Sequence, residues 1–393
     1  MKNLPRAISV AAAIVTLSLV PSGVGGASTR DRAIAPHSLT GVTQISAGGF
    51  HTCALLAAGN GTVDCWGMGA SGQLGNGANT NSKVPVPVGG LSGVTQISAG
   101  EYHTCALLTS AQVKCWGRGT SGQLGNGASA NSNVPVLVHG LSGVIQVAAG
   151  GFHSCAILTN HKVRCWGLGS SGQLGNNSLS NSNVPVAVSS MTNAVQLSTG
   201  WYHTCVMIAT RHIKCWGRGT SGQLGNNKDG NSKTPVLVVG LLANPIQISA
   251  GGFHTCALID SGGGVIECWG RGIEGQLGTG AKSNHRLPVL VGNVANAVQV
   301  SAGGYHTCAM IATHHVRCWG LGTSGQLGDN TYASSKGEVL VVGISNALQV
   351  SAGGYQTCTR ATTRNSVLCW GKGSSGQLGD NAYANHKLPV VVV

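Results

Sequence analysis

Seven copies of one compound motif run through the chain, and that recurrence restricts its fold more than any other feature. The first cysteine of each copy stands at 53, 105, 155, 205, 256, 308 and 358, giving spacings of 52, 50, 50, 51, 52 and 50 residues. Units of this length must stack or close on themselves, because one unit alone cannot bury its apolar face. Each unit offers four strand-like segments. In the second they are "GVTQISAG" (93–100), "HTCALL" (103–108), "VKCWG" (113–117) and "VPVLV" (134–138). The 62 glycines and 8% charged residues suit short strands and tight turns, and no segment reads as an amphipathic helix. Proline enters the fourth segment as Pro85, Pro135, Pro185, Pro235, Pro288 and Pro389. Proline cannot donate to a strand ladder, so this segment is expected at the sheet edge, with the glycine-flanked first segment innermost. Four-stranded sheets repeated radially make a propeller. The chain is therefore predicted to be all-β, a seven-bladed β-propeller of four-stranded antiparallel blades over residues 41–393. A solenoid is the structural alternative, and hairpin-bearing units fit it less well.

One local pattern invites a different reading. Gly117, Gly119 and Gly122 satisfy Gly-x-Gly-x-x-Gly after a strand-like segment, the spacing of a dinucleotide-binding turn. That turn needs a helix opening at its third glycine, and here Gly125, Asn126 and Gly127 follow at once. The same pattern also recurs in all seven units without βαβ surroundings, so no nucleotide, and no other cofactor, is expected.

Before the repeats lies a leader. Lys2 and Arg6 flank an apolar run from Ala7 to Val20, followed by "PSGVGGAS", the layout of a secretory signal with cleavage after Ala27. The domain plan is thus a signal peptide (1–27), a linker (28–40) and the propeller (41–393). The run is short for a membrane span, and no transmembrane segment is expected in the mature chain. The expected location is secreted, extracellular or cell-surface.

All 14 cysteines belong to the repeats, two per unit, which in an exported chain argues for disulfides. Each pair is roughly equidistant from a short polar turn, so a hairpin would set its members opposite one another at about 4.5–5.5 Å between Cα atoms. The expected bonds are Cys53–Cys65, Cys105–Cys115, Cys155–Cys165, Cys205–Cys215, Cys256–Cys268, Cys308–Cys318 and Cys358–Cys369. Length variants fall at the hairpin tips, where insertion preserves the facing of the pair. A zinc site built from His51, Cys53 and Cys65 competes with this reading. Gln356 replaces the histidine in the seventh unit while its cysteines stay, which favours disulfides and no metal.

"SAGGFHTCALL", "CWGMGASGQLGNG" and "VPVPV" together resemble the regulator of chromosome condensation repeat, a seven-bladed propeller family, through all seven units. The resemblance implies the propeller fold and a role in binding. The family's namesake is a nuclear guanine-nucleotide exchange factor that binds chromatin; an exported chain would not meet its GTPase, so no exchange activity is expected. A plant photoreceptor of the family uses clustered tryptophans near the Gly-x-x-His-Thr turns, and here only Trp201 occupies such a position. The paired cysteines point to an extracytoplasmic, bacterial-type branch.

Chemistry is sparse. The ten acidic residues are scattered, no nucleophile sits in a recognisable elbow, and the chain is not expected to be an enzyme. His51, His103, His153, His203, His254 and His306 read as turn fasteners repeated in blade after blade. Charge is more informative. Removing Lys2 and Arg6 leaves 21 basic residues against 10 acidic ones. Lys114, Arg164, Lys214 and Arg317 precede the second cysteine, and Arg118, Arg218, Arg271 and Lys372 sit in Trp-Gly-x-Gly. Hairpin tips add His161, Lys162, Arg211, His212, His314, His315 and Arg364. In a propeller such positions form basic rings, which attract polyanions. Aromatic residues precede each His-Thr turn as Phe50, Tyr102, Phe152, Tyr202, Phe253, Tyr305 and Tyr355. Just before these, Glu101 and Trp201 stand where five other units carry glycine, and Trp201 is expected to project as the anchor of a contact surface. The favoured reading is a secreted, monomeric, non-catalytic propeller that binds a protein partner through one face. The alternative is an adhesin-like module for an anionic polymer, glycan or cell-surface material.

Overall fold

In the computed structural model, residues 39–292, 294–362 and 366–393 are described. The expected signal peptide, nearly all of the expected linker, and Arg364 lie outside them. Strands β1 (Val42–Ala47), β2 (His51–Leu56), β3 (Thr62–Gly67) and β4 (Ser82–Pro87) form the first antiparallel sheet in that order. Six further sheets repeat the plan, each from one sequence unit, as the repeat predicts. Their first strands are β5 (Val94–Ala99), β9 (Val144–Ala149), β13 (Ala194–Thr199), β17 (Pro245–Ala250), β21 (Ala297–Ala302) and β25 (Ala347–Ala352). These inner strands line a central channel of about 260 Å³. The proline-bearing strands are outermost, ending with β28 (His386–Val391) in the seventh blade.

The apolar core lies between blades. The cluster that joins the seventh blade to the first contains Ile45, Ala54 and Trp66 from one side and Val367, Leu378 and Val392 from the other. Polar ties run beside it around the channel. The Gln44 side chain accepts from Ile97 N and donates to Ile97 O, both at 2.9 Å, and Ser46 Oγ accepts from Ala99 N at 2.9 Å. The last blade makes the same tie to the first, Gln349 bonding Ile45 N and O at 2.9 Å. The ring therefore closes by ordinary blade-to-blade contact, and among the described residues no strand is exchanged between the first and last blades.

Each cysteine pair faces its partner in register across the second and third strands and is bonded. Their Cα atoms stand 4.0–4.1 Å apart, closer than the spacing expected of an unbonded opposed pair. All 14 are fully buried, so each bond staples a blade from within.

Candidate binding face

Each inner strand ends in a tight turn, and this turn builds the face. In the first blade Gly48 N donates to His51 O at 2.8 Å, while Gly49 N reaches Gly100 O of the next blade at 3.0 Å. The second bond is repeated through Glu101, Gly151, Trp201, Gly252, Gly304 and Gly354, the last returning to Gly48 O. A hydrogen-bonded ring of main chain thus frames the channel mouth. Immediately outside it stand the seven aromatic residues, all half-buried. They make an unbroken circle with neighbouring centroids 5.3–6.0 Å apart, from Phe50–Tyr102 at 5.3 Å round to Tyr355–Phe50 at 5.9 Å.

The Trp-Gly-x-Gly loops feed cations into this circle. Gly117 has φ 106°, and a Cβ there would strike Tyr102 O at 2.6 Å, so glycine is required for the third strand to pass this close. The next residue, Arg118, then donates its N–H to Tyr102 O at 2.9 Å. Its guanidinium lies 5.5–5.6 Å from the Tyr102 and Phe152 centroids, over the seam between two blades. Arg218 bridges Tyr202 and Phe253 in the same way, Arg271 bridges Phe253 and Tyr305, and Lys372 bridges Tyr355 and Phe50. Four of seven seams carry a cation. Met68, Leu168 and Leu321 hold the equivalent positions in the other three.

The other basic set is not part of this face. Lys114, Arg164, Lys214 and Arg317 lie at the far end of their strands, toward the hairpin tips, and Lys114 Nζ donates to Gly90 O in an opposite-side connection. His161, Lys162, Arg211, His212, His314 and His315 are on that opposite side as well. These two basic sets therefore make separate arrays.

Trp201 differs from expectation. Its indole does not project; it folds across the channel mouth, over Gly252 and Gly304, where a Cβ would meet ring atoms at 2.9 and 2.7 Å. It packs edge-on against Phe253 and Tyr305, each at 5.3 Å. The glycines of the neighbouring blades leave the space it fills, and the residue is half-buried there. Glu101 is buried, at 8% exposure, with its Cγ above Gly49. Burial pushes its carboxyl up to about 7, against the opposing pull of a Tyr102 hydrogen bond and the Arg118 charge.

Beneath the aromatic circle the six histidines are fully buried, and burial pushes each down to about 3. His51 Nε2 is 2.7 Å from Thr104 Oγ1, whose proton goes to Gln73 O at 3.3 Å. The imidazole must therefore donate, as the neutral Nε2–H tautomer. Trp116 Nε1 donates to the same Gln73 carbonyl at 3.0 Å. This His–Thr–Gln–Trp relay, with serine for threonine at Ser154, joins blade to blade. It gives the histidines a structural role, and it assigns one to the Gly-Gln-Leu-Gly loop that sequence reasoning left unexplained. The sevenfold recurrence of Gln73 and its equivalents was the available signal. Among the described residues no group of three or more His, Cys, Asp or Glu is placed to hold a metal, and no helix is long and apolar enough to cross a membrane.

Comparison with known proteins agrees with this geometry. The RCC1-like domain model matches residues 21–297, and the regulator of chromosome condensation (RCC1) repeat model matches residues 297–326. A mitochondrial RCC1 domain-containing protein of Arabidopsis thaliana, RUG3, is 40% identical over 74 residues, which is 18% of this chain and only 16% of that protein. Human WBSCR16 superposes with a TM-score of 0.75 at 21% identity, covering 84% of this chain and 92% of its own. Prp20p of Saccharomyces cerevisiae, a protein described with its binding properties to Gsp1p and histones, superposes at 0.74 with 21% identity, covering 84% and 85%. With a family model matching well over half its length and seven four-stranded blades in place, this chain belongs to the RCC1-like domain family.

Proposed function

We propose that the protein is an exported, non-catalytic interaction propeller that takes a partner protein on the aromatic face. The observation that carries this reading is the closed circle of seven half-buried aromatic side chains with cations held over four of its seams. Aromatic and arginine side chains on a rigid frame are the residue types that dominate binding energy at protein interfaces. The frame is rigid because each blade is stapled by a buried disulfide and tied to its neighbours by the histidine relay at six junctions and by Gln356 at the seventh. Binding of proteins by yeast Prp20p supports the same use of the fold, and seven disulfides support an oxidising compartment.

The test is an affinity pulldown from native culture with the wild-type chain and a Tyr202→Ala, Phe253→Ala variant. A partner that is captured by the first and lost with the second supports the reading. Capture that persists in the variant, or that collapses with moderate salt and yields only anionic polymer, favours the adhesin-like alternative through the basic arrays.

A further inference from the structure

Glu101 is a costly residue for a propeller to keep where it stands. Five other blades put glycine at this position, and the turn closes with the same backbone bond in all of them. A carboxyl group placed there is buried, and its Oε2 has no hydrogen-bond partner. The described ion pairs do not include it, Arg118 being engaged over the Tyr102 and Phe152 rings. Burying a carboxyl oxygen without a hydrogen-bond partner is unfavourable, so packing does not account for its presence. The second departure from the repeat, Trp201, borders the same space.

That space is a cavity of about 70 Å³ at the channel mouth, lined by the glycine turns, Glu101 and Trp201. Its size admits the tip of one side chain or a chain terminus and excludes a drug-sized molecule. The surrounding phenols face the carboxyl. Tyr102, Tyr202 and Tyr355 are each pushed up by burial and further by the nearby Glu101 charge. The cavity wall therefore combines one carboxyl oxygen without a hydrogen-bond partner, the Trp201 indole and the main chain of the glycine turns, with the phenols standing behind it. An ammonium group answers all of these. It brings three donors, offsets the buried charge, and gains from nearby π faces. An anion would meet Glu101 directly.

We propose that the channel mouth on the aromatic face binds a single primary ammonium group, held between the Glu101 carboxylate and the Trp201 indole. In a partner this group would be a lysine side chain or an α-amino terminus. The inference rests on the proposed use of this face, and it names the chemistry that the face recognises.

Tryptophan fluorescence gives a direct reading, because the seven other tryptophans are fully buried in the blade relay and Trp201 alone borders the cavity. The full chain is titrated at pH 8 with n-butylammonium chloride, with n-butanol and sodium chloride as controls. The expected result is a saturable change with the amine alone, weakened at least tenfold in Glu101→Gln and absent in Trp201→Phe. Glu101→Gly, which matches the other blades, checks that the loss is not one of folding. No saturable change in the wild type, or an equal one in Glu101→Gln, overturns the proposal. The wider reading is tested separately, since Tyr202→Ala, Phe253→Ala losing a partner that Glu101→Gln retains would reject the ammonium site and leave the binding face standing.

Discussion

Gln356 donates from its side-chain amide to the carbonyl of His51 at 3.2 Å and to Gly48 O at 3.0 Å, across the junction where the last blade meets the first. Every other junction is tied at this point by a histidine reaching a hydroxyl. Gln356→Ala removes both bonds at a fully buried position and is expected to cost about 2 kcal/mol. Gln356→His places an imidazole opposite Thr52 and should recover most of that loss. Urea unfolding of the two variants checks the order.

Acid should open the ring. An ordinary histidine titrates near 6.5, and the six buried ones are held near 3, so between these values the unfolded chain binds protons that the native chain refuses. Stability is then fully present above pH 6.5 and is lost as pH falls toward 3. Each histidine contributes a slope of up to about 1.4 kcal/mol per pH unit in that window. His103→Gln should lower the proton uptake on unfolding by one, measured by denaturant titrations between pH 3.5 and 7.

Glu101 carries the opposite sign. Its folded carboxyl sits near 7 and an unfolded one near 4.5, so the native state keeps a proton that the unfolded chain has released. Its contribution falls as pH rises from 4.5 to 7, by a total of about 3 kcal/mol. Glu101→Gln should match the wild type at pH 4 and exceed it in stability at pH 8. Ammonium binding should strengthen over the upper part of the same range. The groups facing this carboxyl are Arg118 and the phenols of Tyr102, Tyr202 and Tyr355, and burial holds the three phenols above their ordinary range, outside this window.

The disulfides are predicted to resist reduction in the native state. All 14 sulfurs are buried, so dithiothreitol should reach them only after global unfolding. Mass shifts after thiol alkylation, with and without guanidinium, report this. Replacing Cys105 and Cys115 together by alanine should cost about 2–3 kcal/mol for a loop of this size.

Removing residues 388–393 takes Val390 and Val392 out of the cluster shared by the last and first blades. A sharp fall in melting temperature is expected. An unchanged value would contradict closure through that cluster.

The architecture was legible because period, strand count and proline position all repeat, and seven copies average away local ambiguity. The cysteine pairs were legible for the same reason, with hairpin geometry supplying the partner of each. What escaped was contact between units. Gln44 and Gln73 read as ordinary polar residues in one copy, and their bonds to Ile97 and Trp116 cross a blade boundary that no single-unit pattern displays. Trp201 was misjudged on the same account. Its pocket is made by Gly252 and Gly304, which lie in the two blades that follow its own.

A face built from seven near-identical units has a difficulty that ordinary interfaces lack. If all turns were alike, a partner could dock in seven rotated poses of equal energy, a degeneracy worth about 1 kcal/mol at room temperature and ruinous for any defined geometry. Glu101 in the second blade and Trp201 in the fourth remove that degeneracy. Together with the uneven cations over the seams, they mark a single azimuth on the disc, so that a partner settling there would arrive with one heading.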